Sequence, residues 1–399
     1  EAATDIIEDV TTDTAAAIIE EVTTDTAVAI IEDVTTDTAV AIIEDVTTDT
    51  AVAIIEDVTT DTAVEIIDEV ATDTAVAIIE DVTAEKSADI LEEVVVEKAA
   101  AIMEDLTTNK LTDTIPEMSE TSLTNTLPEM STGKLHTIEP EVLFESLPNA
   151  PTEQLVAEEL PLPPAELGDP VVRSDTPTEA QYVATRTIAG EWVKAMGTPP
   201  PIDKLLIKTK RALTDVETHL EILKEQPSEA EVGLSEEQIL RAYFEINFVN
   251  AEPEDVELGH MTFYVEQEWL EQNSIHKWAV VLSRYDPELG QWISLPTRRV
   301  GEDDTNVYYT VTITRFSNFA ISGSHELQPL NFEVTDLTID PIDAKSGAEI
   351  TISASVANLS DKAGTFIATL WIDATVEAGE DVYLEAGDTT TVSFKVVRA

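Results

Sequence analysis

The 399-residue sequence carries 80 acidic and 22 basic side chains, giving a formal net charge of −58, and it contains no cysteine. Such a negative surface repels nucleic acid and anionic lipid, so we expect neither as a partner. The absence of cysteine excludes disulfides, thiolate zinc sites and a cysteine nucleophile. No stretch reaches the roughly 18 consecutive apolar residues of a transmembrane helix, so we expect no membrane span.

A twelve-residue unit repeats through the first third of the chain, with the consensus Thr-Thr-Asp-Thr-Ala-Val-Ala-Ile-Ile-Glu-Asp-Val. Its copies begin at Thr11, Thr23, Thr35, Thr47, Thr59 and Ala71, and more degenerate copies begin at Thr83, Val95, Thr107, Ser119 and Ser131. A continuous helix turns about 100° per residue, so the apolar stripe would rotate by roughly 120° per unit. No single face could then be buried, and the helix must break once per unit.

Each unit contains the residues for one short helix. Thr23 is placed to cap a helix whose first turn contains Asp25, and Ala27, Val28, Ile30, Ile31 and Val34 share one face. On this pattern Glu32 and Asp33 face water. A helix this short is not stable alone, so the units must stack. We therefore predict an α-solenoid of short helices over residues 1–159.

The later units change in composition. Pro116, Pro128 and Pro140 occupy the tenth position of the unit, which predicts shortened or kinked helices there. Residues 160–199 are predicted to be a Pro-rich linker followed by one short helix from Thr187 to Met196. The chain also begins inside a unit, so we expect an apolar solenoid end formed by Ile6, Ile7 and Val10. Two partners are open for that end: missing upstream repeats, or a neighbouring subunit that docks head to tail.

The repeats resemble the superhelical N-domain of MgtE-type magnesium transporters, which also packs short helices ending in runs such as Ile90-Leu91-Glu92-Glu93. The resemblance covers about residues 1–150 and implies the architecture only.

Residues 200–323 alternate in hydrophobicity and contain short segments separated by turns, which predicts a β-sandwich. The predicted strands are Lys204–Leu213, Asp215–Leu223, Arg241–Val249, His260–Val265, Trp278–Tyr285 and Val307–Ile313. The ordered motifs Val281-Leu282-Ser283-Arg284-Tyr285, Trp292-Ile293-Ser294-Leu295-Pro296-Thr297 and Arg315-Phe316-Ser317-Asn318-Phe319-Ala320-Ile321 resemble the PGF-pre-PGF domain. That resemblance implies a cell-surface protein of archaeal or bacterial type.

Residues 324–399 form a predicted third domain, in which Ile350, Ile352, Ala354 and Val356 alternate along one strand. Val356-Ala357-Asn358 before a turn and Leu370-Trp371-Ile372-Asp373 after it resemble CARDB-type adhesion-related domains, which implies an immunoglobulin-like β-sandwich. The predicted fold class is thus multidomain α + β: an N-terminal α-solenoid followed by two β-sandwich domains.

Candidate sites are few. Asp336, Asp340 and Asp343, together with Glu302-Asp303-Asp304, are weak calcium candidates, and we expect no other cofactor. Asn358 begins the one N-glycosylation sequon, although a polar turn residue is the preferred interpretation. The aromatic residues of the middle domain are expected to be core, with a carbohydrate platform as the alternative; they are Trp269, Trp278, Trp292, Phe316 and Phe319.

The sequence favours a binding or structural role over catalysis. The histidines are scattered, and no nucleophile elbow or phosphate-binding loop is present, so we expect no enzyme. Two hypotheses remain. The first is an extracellular cell-surface structural protein that associates with itself or other surface proteins into a filament, sheath or layer. The second is a surface adhesin or ligand-binding protein whose solenoid is the binding arm.

Overall fold

The structure is a computed structural model that describes residues 7, 10–156, 171–172, 179–187, 189–197, 200–252, 255–327, 332–360, 362–372 and 375–397. It divides into two compact units, residues 1–150 and 151–399. The first contains short helices and the second is rich in β-sheet. The predicted α + β order is therefore confirmed. Residues 160–170 of the predicted Pro-rich linker lie outside the described residues, whereas Glu179–Arg186, also within that linker, is a β-strand that pairs with Thr214–Leu223.

The first unit contains one short helix per repeat. The regular helices are α1 (Thr12–Glu21), α2 (Thr24–Asp33), α3 (Thr36–Asp45), α4 (Thr48–Asp57), α5 (Thr60–Glu69), α6 (Thr72–Asp81), α7 (Ala84–Glu93) and α8 (Val96–Asp105). Shorter ones follow: α9 (Thr108–Thr114), α10 (Glu120–Thr126), α11 (Thr132–Leu135) and α12 (Pro140–Ser146). The predicted breaks are confirmed, because the first Thr of a unit is extended and the next residue begins the helix.

Proline shortens the later helices as predicted. Pro116 lies in a 3-10 turn, Ile115–Glu117, that follows α9, and Pro128 lies in the turn Leu127–Glu129 after α10. Pro140 behaves differently from its place in the repeat, because it begins α12 as the first helical residue. A proline is well tolerated there, since the backbone N–H it lacks would have no partner within the helix.

The solenoid core consists of the same positions in every unit. In α3, Ala39, Ile42 and Ile43 are at most 2% exposed, and the equivalent residues of α2 and α4 are buried likewise. Each helix packs against the next helix but one in chain order, as α1 packs against α3. Burying one such isoleucine contributes about 1.5–3 kcal/mol, so lateral stacking supplies the stability that one short helix lacks.

The second unit begins with a small helix, α13 (Thr152–Leu155), and continues with the first β-domain. One sheet has seven strands in the order β1-β2-β5-β6-β12-β8-β9, and the other has five in the order β10-β11-β7-β4-β3. The strands are β1 (Val171–Val172), β2 (Glu179–Arg186), β3 (Trp192–Gly197), β4 (Ile202–Thr209), β5 (Thr214–Leu223), β6 (Ile239–Val249), β7 (Val256–Glu266), β8 (Val280–Asp286), β9 (Gln291–Leu295), β10 (Thr297–Glu302), β11 (Asn306–Ile313) and β12 (Asn318–Gly323). A helix, α14 (Gln267–Gln272), follows β7.

The two sheets face each other across one core. Phe244 and Phe319 stack within the first sheet, and Phe263 and Tyr309 stack within the second. All four side chains are buried in the same apolar cluster. The predicted short helix from Thr187 to Met196 is wrong, because Trp192–Gly197 forms β3 and pairs with β4. Pairing with a neighbouring strand satisfies the backbone groups of this segment and outweighs its local helical tendency.

The C-terminal domain contains five further strands in two sheets, ordered β13-β14-β17 and β15-β16. They are β13 (Phe332–Asp340), β14 (Glu349–Asn358), β15 (Gly364–Ile372), β16 (Thr375–Leu384) and β17 (Thr389–Val397). Its core is small and consists of Val356, Ala368, Val382, Leu384 and Val392. The two-stranded sheet covers only part of the three-stranded one, since most of β13 is exposed.

Candidate functional site

A ladder of carboxylates connects distant repeats of the solenoid. The residue at the tenth position of a unit accepts a hydrogen bond from the backbone N–H of the residue that caps the helix three units later, as in the 3.1 Å bond from Thr59 to Glu32. The same link, always 27 residues long, joins the pairs Glu20–Thr47, Glu44–Ala71, Glu56–Thr83, Asp68–Val95, Glu80–Thr107, Glu92–Ser119 and Glu104–Ser131.

This ladder corrects the expectation that Glu32 only faces water. The N-terminus of a helix has backbone N–H groups without helical partners and a partial positive charge, and a carboxylate satisfies both. Glu56 illustrates the full arrangement, because it accepts from both the backbone N–H and the hydroxyl of Thr83, at 2.9 and 2.8 Å. The tenth residue is therefore an inter-repeat connector. Its regular spacing was visible in the sequence, but its partner 27 residues away was not.

In the degenerate repeats, lysine side chains bind the C-terminal ends of helices. Lys86 donates a 2.6 Å hydrogen bond to the carbonyl of Val58, and Lys98 donates one of 2.5 Å to that of Val70. Lys110 and Lys134 make the equivalent bonds to Val82 and Leu106. Each carbonyl belongs to the residue after a helix, where a cation is favourable. These are the four basic residues of the repeats, and all four bind helix C-termini.

The calcium candidates do not converge. Among the described residues, no group of three or more His, Asp or Glu side chains is placed to hold a metal ion. Asp303 instead stabilises its own turn, accepting from the backbone N–H groups of Thr305 and Asn306 and from the hydroxyl of Tyr308. These hydrogen bonds, led by that of Tyr308, hold the pKa of Asp303 far below its ordinary value. Asp336, Asp340 and Asp343 are exposed.

Asn358 is a buried structural residue of the C-terminal domain. It is 0% exposed, and its side-chain amide donates to the carbonyls of Lys362, Leu384 and Glu385. Its side-chain oxygen accepts from Ser360. A glycan on this amide would break these bonds, so the folded domain does not suit Asn358 as a glycosylation site.

The candidate aromatic residues lie mostly in the core. Phe319 and Trp278 are buried, and Trp269 and Phe316 pack against the main apolar cluster while partly exposed. Trp292 is partly exposed, lies against the rings of Tyr243 and Tyr285, and donates from Nε1 to the carbonyl of Val232. Two of these five, the buried Trp278 and the partly exposed Trp292, also border a cleft, described below.

An ionic contact joins the two β-domains. Arg284 on β8, 3% exposed, pairs with Asp286 at 3.3 Å and with Asp381 on β16 at 2.9 Å. Thr314 also donates to Asp381. Nearby, a methyl carbon of Leu258 lies 2.6 Å from the position that a Cβ on Gly379 would take, so glycine allows β16 to approach β7 closely. The C-terminal domain is thus held against the first β-domain by a buried pair and tight backbone packing.

The C-terminal domain exposes an apolar row. Val334, Leu337 and Ile339 on β13 are 52%, 70% and 48% exposed, and Ile342 after the strand is 86% exposed. Among the described strands β13 pairs with β14 alone, so it is an edge strand of its sheet. At the solenoid end the expectation is not met, because Ile7 is only 3% exposed and Val10 is half-buried. Ile6 lies outside the described residues.

No helix in the described part of the chain has the length and hydropathy needed to span a bilayer. Two stretches, residues 1–75 and 60–141, match the family model of the MgtE intracellular N domain. No curated protein matches the chain. The repeat array is therefore similar to the MgtE intracellular N domain, as its short helices predict.

Proposed function

We propose that this chain is a non-enzymatic, extracellular structural protein of the cell surface that associates with itself into a filament, sheath or layer. The observation that carries the proposal is the apolar row on β13, where Val334, Leu337 and Ile339 are exposed on an edge strand. An unpaired strand edge with apolar side chains is a template for pairing with another chain. Such a row is also unusual on a monomeric soluble surface.

The repeat array supports a structural role. A solenoid that reads a ligand varies its residues at fixed positions along the binding face. Here several units are nearly identical in sequence, and their polar residues at the first and tenth positions bind other repeats. The array therefore supplies length and regularity, which suit a spacer or assembly element.

The family resemblances of the two β-domains also support the proposal. The motifs from Val281 to Ile321 resemble a PGF-pre-PGF domain, and those around Asn358 and Trp371 resemble a CARDB domain. Both resemblances support a cell-surface location. The family that matches the repeats is named for an intracellular domain, so location needs its own test. Protease treatment of intact source cells should digest the chain; complete protection in intact cells would contradict an extracellular location.

Light scattering on the purified chain tests self-association directly. We expect the mean mass to rise with concentration and to fall back in the double variant Leu337→Lys/Ile339→Lys, because lysine on an edge strand blocks pairing. Val232→Lys is the matched control, since Val232 is 55% exposed but lies in a loop of the first β-domain. A chain that stays monomeric at high micromolar concentration in all salt conditions would favour the adhesin alternative.

A further inference from the structure

A cleft of about 580 Å³ lies between the two β-domains. Its first wall is the corner where β9 passes into β10, and its second wall is β15 with the loop before it. Its volume is in the range of sites that hold small ligands, roughly 300–1,000 Å³, which often lie between domains. The cleft is distinct from the apolar row on β13 and does not depend on self-association.

A short segment at the start of the second unit closes one end of the cleft. Gln154 of α13 donates from Nε2 to the carbonyl of Thr297 at 2.8 Å, and its Oε1 accepts from the backbone N–H of Arg299 at 3.0 Å. Gln154 is 3% exposed and so extends the edge of β10 much as a strand residue would. This anchor places the neighbouring residues Pro151 and Glu153 on the cleft wall.

The cleft combines ring faces with hydrogen-bonding groups. Trp292 and Phe366 line it and are partly exposed, and the amides of Gln238 and Gln291 line it as well. Sugar rings present C–H faces that pack on aromatic rings and hydroxyls that bond to amides. A wall with both kinds of group therefore suits a saccharide better than a purely apolar ligand.

The charges in the cleft favour an acidic ligand. Arg298 and Lys362 line it, against one carboxylate, Glu153. Burial raises the pKa of Glu153, while the nearby guanidinium of Arg298 acts to lower it. In a chain of net charge −58, this local excess of cations stands out. An anion that enters the cleft is attracted locally, although the rest of the surface repels it.

One polar group in the cleft wall has no hydrogen-bond partner within the protein. The hydroxyl of Thr365 on β15 is buried, at 1% exposure, and its Oγ1 makes no hydrogen bond. Thr365 lines the cleft. A buried hydroxyl without a partner costs free energy, so a ligand that bonds to it would recover that cost.

We propose that this cleft binds an acidic saccharide, a short chain of sugar rings bearing carboxylates. Arg298 and Lys362 face the carboxylates, Trp292 and Phe366 pack against the sugar rings, and Thr365 hydrogen-bonds to a ring hydroxyl.

Calorimetric titration of the full chain with tri-galacturonate tests the proposal. The comparison ligand is the same trisaccharide with its carboxylates fully methyl-esterified, which keeps the rings and hydroxyls but removes the charge. We expect the acid to bind and the ester to bind at least about tenfold more weakly, because a charged hydrogen bond contributes more than a neutral one. Absence of binding by either ligand at millimolar concentration, or equal binding of both, would overturn the proposal.

Two substitutions in the cleft test whether the saccharide binds there. Lys362→Gln, in an exposed loop, should weaken binding of tri-galacturonate by about tenfold. Thr365→Val should also weaken it, since valine keeps the shape and removes the hydroxyl. The control is Lys224→Gln, another exposed lysine, which lies outside the cleft and should leave affinity unchanged. Unchanged affinity in both cleft variants would overturn the assignment, and the exposed position of Lys362 keeps this test independent of folding.

Discussion

The repeat array and the β-rich unit bury their apolar side chains in different ways. The repeats bury small, identical aliphatic side chains such as Ile42 and Ile43, and they use exposed carboxylates to connect helix ends. The first β-domain buries large and varied side chains, including Phe263 and Tyr309, around one irregular core. The repeat array can therefore grow by the addition of further repeats, each packed on its neighbours. The β-rich unit instead depends on contacts between individual residues that are far apart in the sequence.

The unfolding of the repeat array and that of the β-rich unit can be followed separately, because the two carry different spectroscopic probes. The five tryptophans of the chain are Trp192, Trp269, Trp278, Trp292 and Trp371, all in the β-rich unit. Helical circular dichroism therefore reports mainly on the repeats, and tryptophan fluorescence reports on the β-rich unit.

The largest expected effect is from Ile42→Asp in the solenoid. Ile42 is 0% exposed, so the change places an unpaired charge in the core and should cost about 4–5 kcal/mol. Urea unfolding followed by helical circular dichroism should shift strongly, while tryptophan fluorescence should not. Asp45→Ala, on the exposed face of the same helix, is the control and should change little. A single fluorescence and dichroism transition that shifts as one would show that the units unfold together.

Breaking the buried ion pair should have the next largest effect, and it should affect the β-rich unit alone. Arg284→Met leaves Asp381 buried without its guanidinium, which should cost about 3–4 kcal/mol in urea unfolding by fluorescence. The matched control is Lys395→Met, whose partner Glu349 is 2.9 Å away but whose pair is exposed. That change should cost about 0–1 kcal/mol. Equal effects of the two variants would refute the role of burial.

His260 should give the β-rich unit a pH dependence. Burial, and to a smaller extent Lys204, lowers the pKa of His260 from 6.5 to about 4. The unfolded chain therefore binds the proton more tightly, so this stability is present above pH 6.5 and lost as pH falls toward about 4. We expect His260→Gln to remove up to about 3 kcal/mol of that dependence, whereas His325→Gln, at an exposed site, should not. Parallel pH profiles for both variants and the parent chain would contradict this.

The carboxylate ladder should contribute a smaller amount per link. Glu56→Gln removes the charge that accepts from Thr83 and should destabilise the repeats by about 1 kcal/mol. Asp57→Asn is the control, since Asp57 is exposed on the same helix. If both variants melt alike by helical circular dichroism, the ladder does not stabilise the array.

The smallest expected effect is from salt. The repeats contain few cations, so screening by sodium chloride should raise the thermal midpoint of the helical transition by a few degrees. Calcium should add little beyond its ionic strength, because the described carboxylates form no metal-holding group. A sharp, saturable calcium effect at micromolar concentration would instead indicate specific sites.

The architecture of the repeats could be predicted from local rules. The drift of the apolar stripe required one break per unit, which the structure has. Side-chain capping by threonine was predicted less well: Thr35 and Thr59 each accept a hydrogen bond from a backbone N–H of the first turn, whereas the hydroxyl of Thr23 bonds to that of Thr26 instead. The link from Glu32 to Thr59 could not be predicted, because a 27-residue hydrogen bond depends on the superhelical geometry. Pro140 shows the same limit, since its place in the repeat indicated a helix break and it instead begins a helix.

The β-rich unit was less predictable from sequence. Alternation located strands such as β5, β6 and β11 well, but strand order depends on pairing across many residues. β3 was expected to be a helix, since its partner β4 was not evident from local sequence. The cleft depends on the anchoring of Gln154 to β10, a contact across 143 residues that no local pattern indicates.

Self-association on the cell surface can be observed by immunolabelled negative-stain microscopy of the source cells. We expect labelled, ordered fibres or layers on the cell surface, and fewer of them when the chain carries Leu337→Lys/Ile339→Lys. Label confined to the cell interior, or isolated surface particles unaffected by the double variant, would contradict it.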